Sequence, residues 1–233
     1  MIRKRPPGVW LLCTALAVAA LSGCLTIGSD RGAPLRKDRS AEVQIDPASA
    51  PAGLLPVNRL SGEFVLHQIV TVRWSVDGEA FEESFTAALQ RRGETLLLLG
   101  LGPLGRVGFE LRLEGGEVHF ENRTGRLLPF KPENILADVQ RVFYPWTDEP
   151  VQCTHCQREG KHQEISILET YGASGLVERR FLFADAPDRG EVIVRYGADR
   201  LSRAIPTRAD LQNDWVGYSL VIETHRFDPI ESR

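Results

Sequence analysis

The sequence lacks any apolar run long enough to cross a membrane as a helix. Its longest, Val9 to Leu21, is interrupted only by Cys13 and Thr14 and is roughly two thirds of the ~20 residues that a ~30 Å hydrocarbon core demands. A polytopic membrane protein is excluded, and a permanent transmembrane anchor is the weaker reading of that segment. Strong charge of one sign is missing too: 28 Lys and Arg against 31 Asp and Glu leave a net charge of −3. This argues against a nucleic-acid or anionic-membrane binder that works by bulk charge. Local catalytic signatures are absent, with no G-x-S-x-G, no H-E-x-x-H and no Walker loop, so a catalytic assignment finds no support and no catalytic residue is named. What is present, 42% hydrophobic and 25% charged residues, is the composition of one globular domain and not of a disordered chain.

Arg3, Lys4 and Arg5 precede the apolar stretch, which ends in Leu21-Ser22-Gly23-Cys24. That is the layout of an export signal over residues 1–23. Leu-Ser-Gly-Cys resembles the bacterial lipobox, and the resemblance makes Cys24 the acylated mature N-terminus. Several acyl chains at ~0.8 kcal/mol per buried methylene hold a protein to a bilayer stably. Leu25 follows where inner-membrane lipoproteins often carry Asp, so the resemblance points to the outer membrane and its periplasmic side. Removal of residues 1–23, with three bases and no acids, takes the net charge from −3 to −6. Membrane contact beyond the anchor is therefore expected to be apolar.

From Cys24 to Gly53 the chain is rich in Ser, Ala, Pro, Gly and charge and reads as a lipidated terminus and flexible tether. A coil of about 28 residues has a root-mean-square reach of roughly 30 Å. Residues 54–233 are then the length of a single domain. Within it Phe64, Leu66, Val70, Val72, Trp74 and Val76 alternate, and Phe81, Phe85, Ala87 and Leu89 continue beyond Asp77-Gly78, the pattern of a hairpin. Further strands are expected at 95–101, 106–113, 117–122, 164–171, 176–183, 191–196 and 216–224, nine in all. Pro132 to Phe143 carries an apolar stripe, Ile135, Leu136, Val139, Val142 and Phe143, that predicts one helix stopped by Pro145. The expected fold is α+β and mainly β: a curved antiparallel sheet, an open half-barrel, covered by a helical lid. Its concave side would be lined by Leu66, Val70, Val72, Trp74, Phe81 and Phe85 with Ile135, Val139 and Phe143. The same alternation equally lines a solid core.

Gly100-Leu101-Gly102-Pro103-Leu104-Gly105 matches G-x-G-x-x-G in letters only. A dinucleotide site needs a helix after the glycines, whereas Val107, Phe109, Leu111 and Leu113 alternate as a strand. The segment reads as a hairpin turn presenting Leu101 and Leu104, which either pack inward or touch lipid. Cys153 and Cys156 form a C-x-x-C pair for which a local disulfide is the first expectation. Zinc with His155 or His162 is the alternative, but no second C-x-x-C completes a ligand set, and no metal is assigned. His67, His119 and His225 lack local partners, and Glu82, Glu83, Glu110 and Glu121 read as a solvated strand face.

The run from Thr95 to Gly105, the Gly-Gly turn at Gly115-Gly116, the helix Pro132 to Gln140 (Pro-Glu-Asn-Ile-Leu-Ala-Asp-Val-Gln) and the strand Gly217 to Thr224 resemble a family of proteobacterial outer-membrane lipoproteins of unknown function, often encoded beside aryl-polyene or fatty-acid-synthase-like genes. A more distant resemblance is to the lipoprotein-localisation acceptor LolB, whose half-barrel holds acyl chains. There the Pro-Leu-Gly turn exposes a leucine that delivers cargo, and it matches Leu104. The Cys153–Cys156 segment departs from both groups. The resemblance implies a non-enzymatic carrier of lipid or lipoprotein acyl chains, without cofactor or nucleic acid, held to the membrane by its lipid anchor and served by a periplasmic carrier. The alternative is an accessory lipoprotein that docks a partner in an envelope or polyene-lipid assembly system, with a filled core.

Overall fold

The computed structural model describes residues 43–45, 53–125, 131–147, 153–202 and 205–231. The expected signal peptide, Cys24 and most of the tether lie outside them. Alternating residues build β1 (Val43–Ile45), β2 (Phe64–Val76), β3 (Glu79–Arg92), β4 (Thr95–Leu101), β5 (Val107–Glu114) and β6 (Glu117–Asn122). The helix α1 (Pro132–Phe143) follows, then β7 (Cys156–His162), β8 (Ile165–Gly172), β9 (Gly175–Phe183), β10 (Glu191–Tyr196), β11 (Arg208–Asn213) and β12 (Tyr218–Pro229). Among the described residues twelve strands form one sheet in the order β1-β6-β5-β4-β3-β2-β12-β11-β10-β9-β8-β7.

All ladders are antiparallel, and nearly every neighbour in the sheet is a neighbour in sequence. Two meanders, β2 to β6 and β7 to β12, are joined where β12 pairs with β2 from Tyr218↔Trp74 to Phe64↔Pro229, with an irregularity between Thr224 and Arg226. Between β6 and β7, next to the two margins of the sheet, the chain runs through α1. Among the described residues no ladder joins β1 to β7, so the sheet is open.

Period two puts Phe64, Leu66, Ala87, Leu89, Leu96, Leu111, Ile167, Phe181, Val192 and Leu211 on one face, in one continuous core with Leu136, Val139, Val142 and Phe143 of α1. Pro132 opens the helix without a lost donor, since a first-turn N–H has no intrahelical partner. The amide of Tyr144 closes on the carbonyl of Gln140 at 2.9 Å, and Pro145 follows. Nine of the twelve helical residues are buried, Asn134, Asp138, Gln140 and Arg141 among them. A helix buried beyond its apolar stripe is enclosed on more than one side. Segment 53–57 supplies part of that cover, because the Gln140 side chain accepts from the Leu55 amide at 2.7 Å and donates to its carbonyl at 2.8 Å.

Three strands go beyond the nine that periodicity predicts. β1 falls in the stretch read as tether and pairs Val43↔Phe120 to Ile45↔Val118. β7 runs Cys-Gln-Arg-Glu-Gly-Lys-His, a margin strand without an aliphatic residue, and β11 has only Ala209 and Leu211 to alternate. In β7 and β11 burial still alternates, but few or no aliphatic residues mark the alternation in the sequence.

Candidate functional site

The β4–β5 turn is built by a glycine that yields to a ring. Gly100 pairs with Phe109, and a Cβ at Gly100 would lie 2.0 Å from Phe109 Cε1, so only glycine admits the ring across the strand. The Gly102 amide donates to the Arg106 carbonyl at 2.8 Å and the Gly105 amide to the Gly102 carbonyl at 3.1 Å. Between them Leu104 sits in the left-handed region, at φ 64° and ψ 21°, a conformation that costs a non-glycine residue about 1–2 kcal/mol. The side chain it presents is 98% exposed, more than any other large apolar residue described. Leu101, at the end of β4, is half-buried.

The expected lining residues divide. Leu66, Val72, Val139 and Phe143 are in the packed core, and Val70, Trp74, Phe85 and Ile135 lie partly buried against it. Phe81 remains 37% exposed. Trp74 and Phe81 are cross-strand partners with stacked rings, 5.6 Å apart and 16° from parallel. They wall an open cleft of about 420 Å³ whose other residues include Asn213, Gly217 and Tyr218. Arg73, Glu82 and Asp214 also line this cleft. A second pocket of about 360 Å³ is lined by Leu54, Leu55, Val57 and Leu113, where Leu55 is bonded to Gln140 of α1.

Under the cleft lies a polar knot. Asp138 of α1 accepts from Tyr218 Oη, from Arg141 Nη1 at 2.5 Å and from Asn213 Nδ2 at 3.4 Å. Burial holds the Asp138 carboxyl above the usual carboxylate range against the pull of Arg141 and its hydrogen bonds, and pushes the Tyr218 phenol well up. A second knot grips the end of the helix. Arg179 Nη1 donates to the Arg141 carbonyl at 2.5 Å, and Tyr196 Oη to the Val142 carbonyl at 2.9 Å, placing a cation at the negative end of α1. Glu169 faces Arg179 across β8 and β9 at 2.7 Å and accepts from Thr147 and Tyr171. Burial alone would raise the Glu169 carboxyl; Arg179 and these donors outweigh it and hold the group below its ordinary value. Burial pushes the Tyr196 phenol up to about 12. Both knots fasten α1 to the sheet, and in the first Arg141 Nη2 and Asn213 Oδ1 are buried without a hydrogen-bond partner among the described residues.

Sequence reasoning passed over Asp138, Glu169 and Arg179, since charged residues on strands and helices read as solvated. Only the pairing partner, ten residues away for Glu169 and eighty for Asp138, gives them a role. Cys153 and Cys156 are joined in a disulfide. His162 stacks edge-on to Trp146, and among the described residues no group of three or more His, Cys, Asp or Glu is placed to hold a metal. His67 contacts Asp228 at 3.1 Å and Arg226 at 2.7 Å on the outer face. No helix among the described residues is long and apolar enough to cross a membrane.

An open, all-antiparallel sheet with one enclosed helix and an apolar turn tip thus defines the class of this domain. By sequence the chain belongs to the DUF3261 family, described as a protein of unknown function, whose model matches residues 65–226. No curated protein matches the chain. Among solved structures, a LolA superfamily protein from Nitrosomonas europaea is 11% identical, with a TM-score of 0.40 over 74% of this chain and 88% of that one. A DUF1329 family protein from Desulfovibrio piger is 13% identical, with a TM-score of 0.45 over 72% and 86%. An outer membrane lipoprotein-sorting protein domain from Vibrio parahaemolyticus is 9% identical, with a TM-score of 0.42 over 74% and 88%.

Proposed function

We propose that this chain is a lipoprotein of the bacterial outer membrane, tethered on the periplasmic side through Cys24, that binds an acyl chain or similar apolar ligand and helps carry or insert it without making or breaking bonds. The observation that carries this reading is Leu104, almost fully exposed on a backbone held in the left-handed region. Folding gains nothing from that side chain, while transfer of a leucine from water into hydrocarbon is worth about 1.5–3 kcal/mol. A wedge of this kind suits a domain whose net charge gives it no attraction to anionic lipid. The guest chain would lie in the cleft beside Trp74 and Phe81, the stacked aromatic pair of β2 and β3.

The continuous core in which α1 packs with the sheet favours a second reading, an accessory lipoprotein that docks an envelope partner. Native mass spectrometry of residues 25–233 separates the two: retention of an acyl chain supports carriage, and a domain that takes up no fluorescent fatty-acid probe supports docking. For the first reading, Leu104→Glu is expected to leave folding intact and to slow transfer of a fluorescent acyl cargo between vesicles. Transfer at the wild-type rate ends the delivery role.

A further inference from the structure

β3 is twice as long as β4. β4 pairs with β3 only from Thr86↔Leu101 to Arg92↔Thr95, so Glu79 to Phe85 are paired on the β2 side alone among the described residues. The turn register shows which groups this leaves idle. Asp77 and Gly78, at φ 52° and 84°, form a two-residue turn, so Val76 and Glu79 exchange both backbone bonds. Alternation from that pair gives Phe81, Glu83 and Phe85 to β2 and directs the N–H and C=O of Ala80, Glu82 and Ser84 to the other side. The next turn agrees independently: Gly93-Glu94 makes Arg92↔Thr95 a bonded pair, so Gln90, Ala88 and Thr86 bond to β4, the same even-numbered set. Below Ala80, Glu82 and Ser84 the row is filled by β4. Above Leu101 it is open, and Glu79 to Ser84 are exposed.

We infer that this open edge of β3 receives an extended segment of a partner protein, with basic residues at alternate positions, as a short added strand. Six backbone groups are presented in a row, in mid-sheet, above the β4–β5 turn that limits the added strand to about seven residues. Charge selects the occupant. Glu79 and Glu83 stand on the inner face and carry no ion pair among the described residues, and Glu83 lies between Phe81 and Phe85. A lysine or arginine opposite them gains a carboxylate and aromatic faces together. On the outer face Glu82 is held by Arg73 at 2.5 Å. A second copy of the chain is the wrong occupant, because antiparallel self-pairing of the open edge sets Glu82 against Glu82 and brings six carboxylates into one two-stranded ladder.

The test uses the full chain in detergent micelles with a seven-residue capped peptide of alternating lysine and valine, and one of alternating glutamate and valine as control. Hydrogen exchange and fluorescence anisotropy are the readouts. The lysine peptide is expected to slow exchange of the Ala80, Glu82 and Ser84 amides at least 10-fold, with the glutamate peptide inert. Ala80→Pro removes a free donor while leaving every bond to β2, because proline is tolerated where its nitrogen faces outward. It is expected to weaken binding at least 10-fold at an unchanged thermal midpoint, and Glu83→Lys, which alters no backbone group, to do the same. Equal binding of both peptides, unprotected amides, wild-type affinity in both variants, or protection that arises only from self-association overturns the inference. Leu104→Glu leaves this binding intact, so its outcome is independent of the delivery role.

Discussion

Leu104→Asn should move stability and membrane binding in opposite directions. In the folded chain Leu104 is 98% exposed, so removal of its side chain forfeits no packing. Its φ of 64° penalises a leucine by about 1 kcal/mol, and asparagine is among the few side chains that adopt this region readily. The variant is therefore expected to be as stable as the wild type or more so, by up to about 1 kcal/mol, which for a domain of this length raises the thermal midpoint by roughly 2–4 °C. In a bilayer the sign reverses. Loss of about 2 kcal/mol of apolar transfer lowers partition onto vesicles roughly 30-fold. Guanidinium melts and sedimentation of residues 25–233 with neutral phosphatidylcholine vesicles measure the two quantities on the same preparation, and neutral lipid removes any electrostatic contribution. A clear loss of stability would mean that Leu104 packs against the protein. Unchanged partition would mean that the strained leucine is not a membrane wedge, and the strain would then lack a functional reason.

Gly100→Ala is expected to cost about 2–3 kcal/mol in urea unfolding, because its Cβ would fall 2.0 Å from Phe109 Cε1. Phe109→Ala in the same chain should relieve part of that cost, visible as a non-additive double-mutant cycle. Arg179→Met should destabilise by about 3–5 kcal/mol, since Glu169 is left buried without its cation and the Arg141 carbonyl keeps only the longer bond from Tyr196. The acid limb of stability tests the two knots with opposite signs. The lowered carboxyl of Glu169 contributes stability that is present above its unfolded value and is lost as pH falls through the folded one, so the advantage of wild type over Glu169→Gln should shrink below about pH 4. The raised carboxyl of Asp138 acts in reverse, so the advantage over Asp138→Asn should grow as pH falls. Denaturant melts at a series of pH values between about 3 and 7 read both, and parallel curves would refute the assignment.

Much of the sheet is legible in the chain because strand alternation is a local property. The hairpin through Asp77-Gly78, the turn at Gly102 to Gly105, the strands at 191–196 and 95–101 and the helix from Pro132 to Phe143 follow from the residues themselves. The turn with Leu104 is legible for the same reason. β7 and β11 escape because few or no aliphatic residues mark their alternation, and a margin strand such as Cys156–His162 need not alternate in hydrophobicity.

What the sequence by itself determined is therefore where the chain turns and which side chains share a face, consequences of backbone period and turn stereochemistry within a few residues; which of Leu101 and Leu104 is exposed was left to the structure. Only the tertiary structure decided that α1 is enclosed, that Asp138 meets Tyr218 and Glu169 meets Arg179 in the interior, and that the upper half of β3 keeps an open edge. Burial, charge pairing and strand adjacency join groups that are distant in sequence, and local pattern carries no record of which distant group arrives.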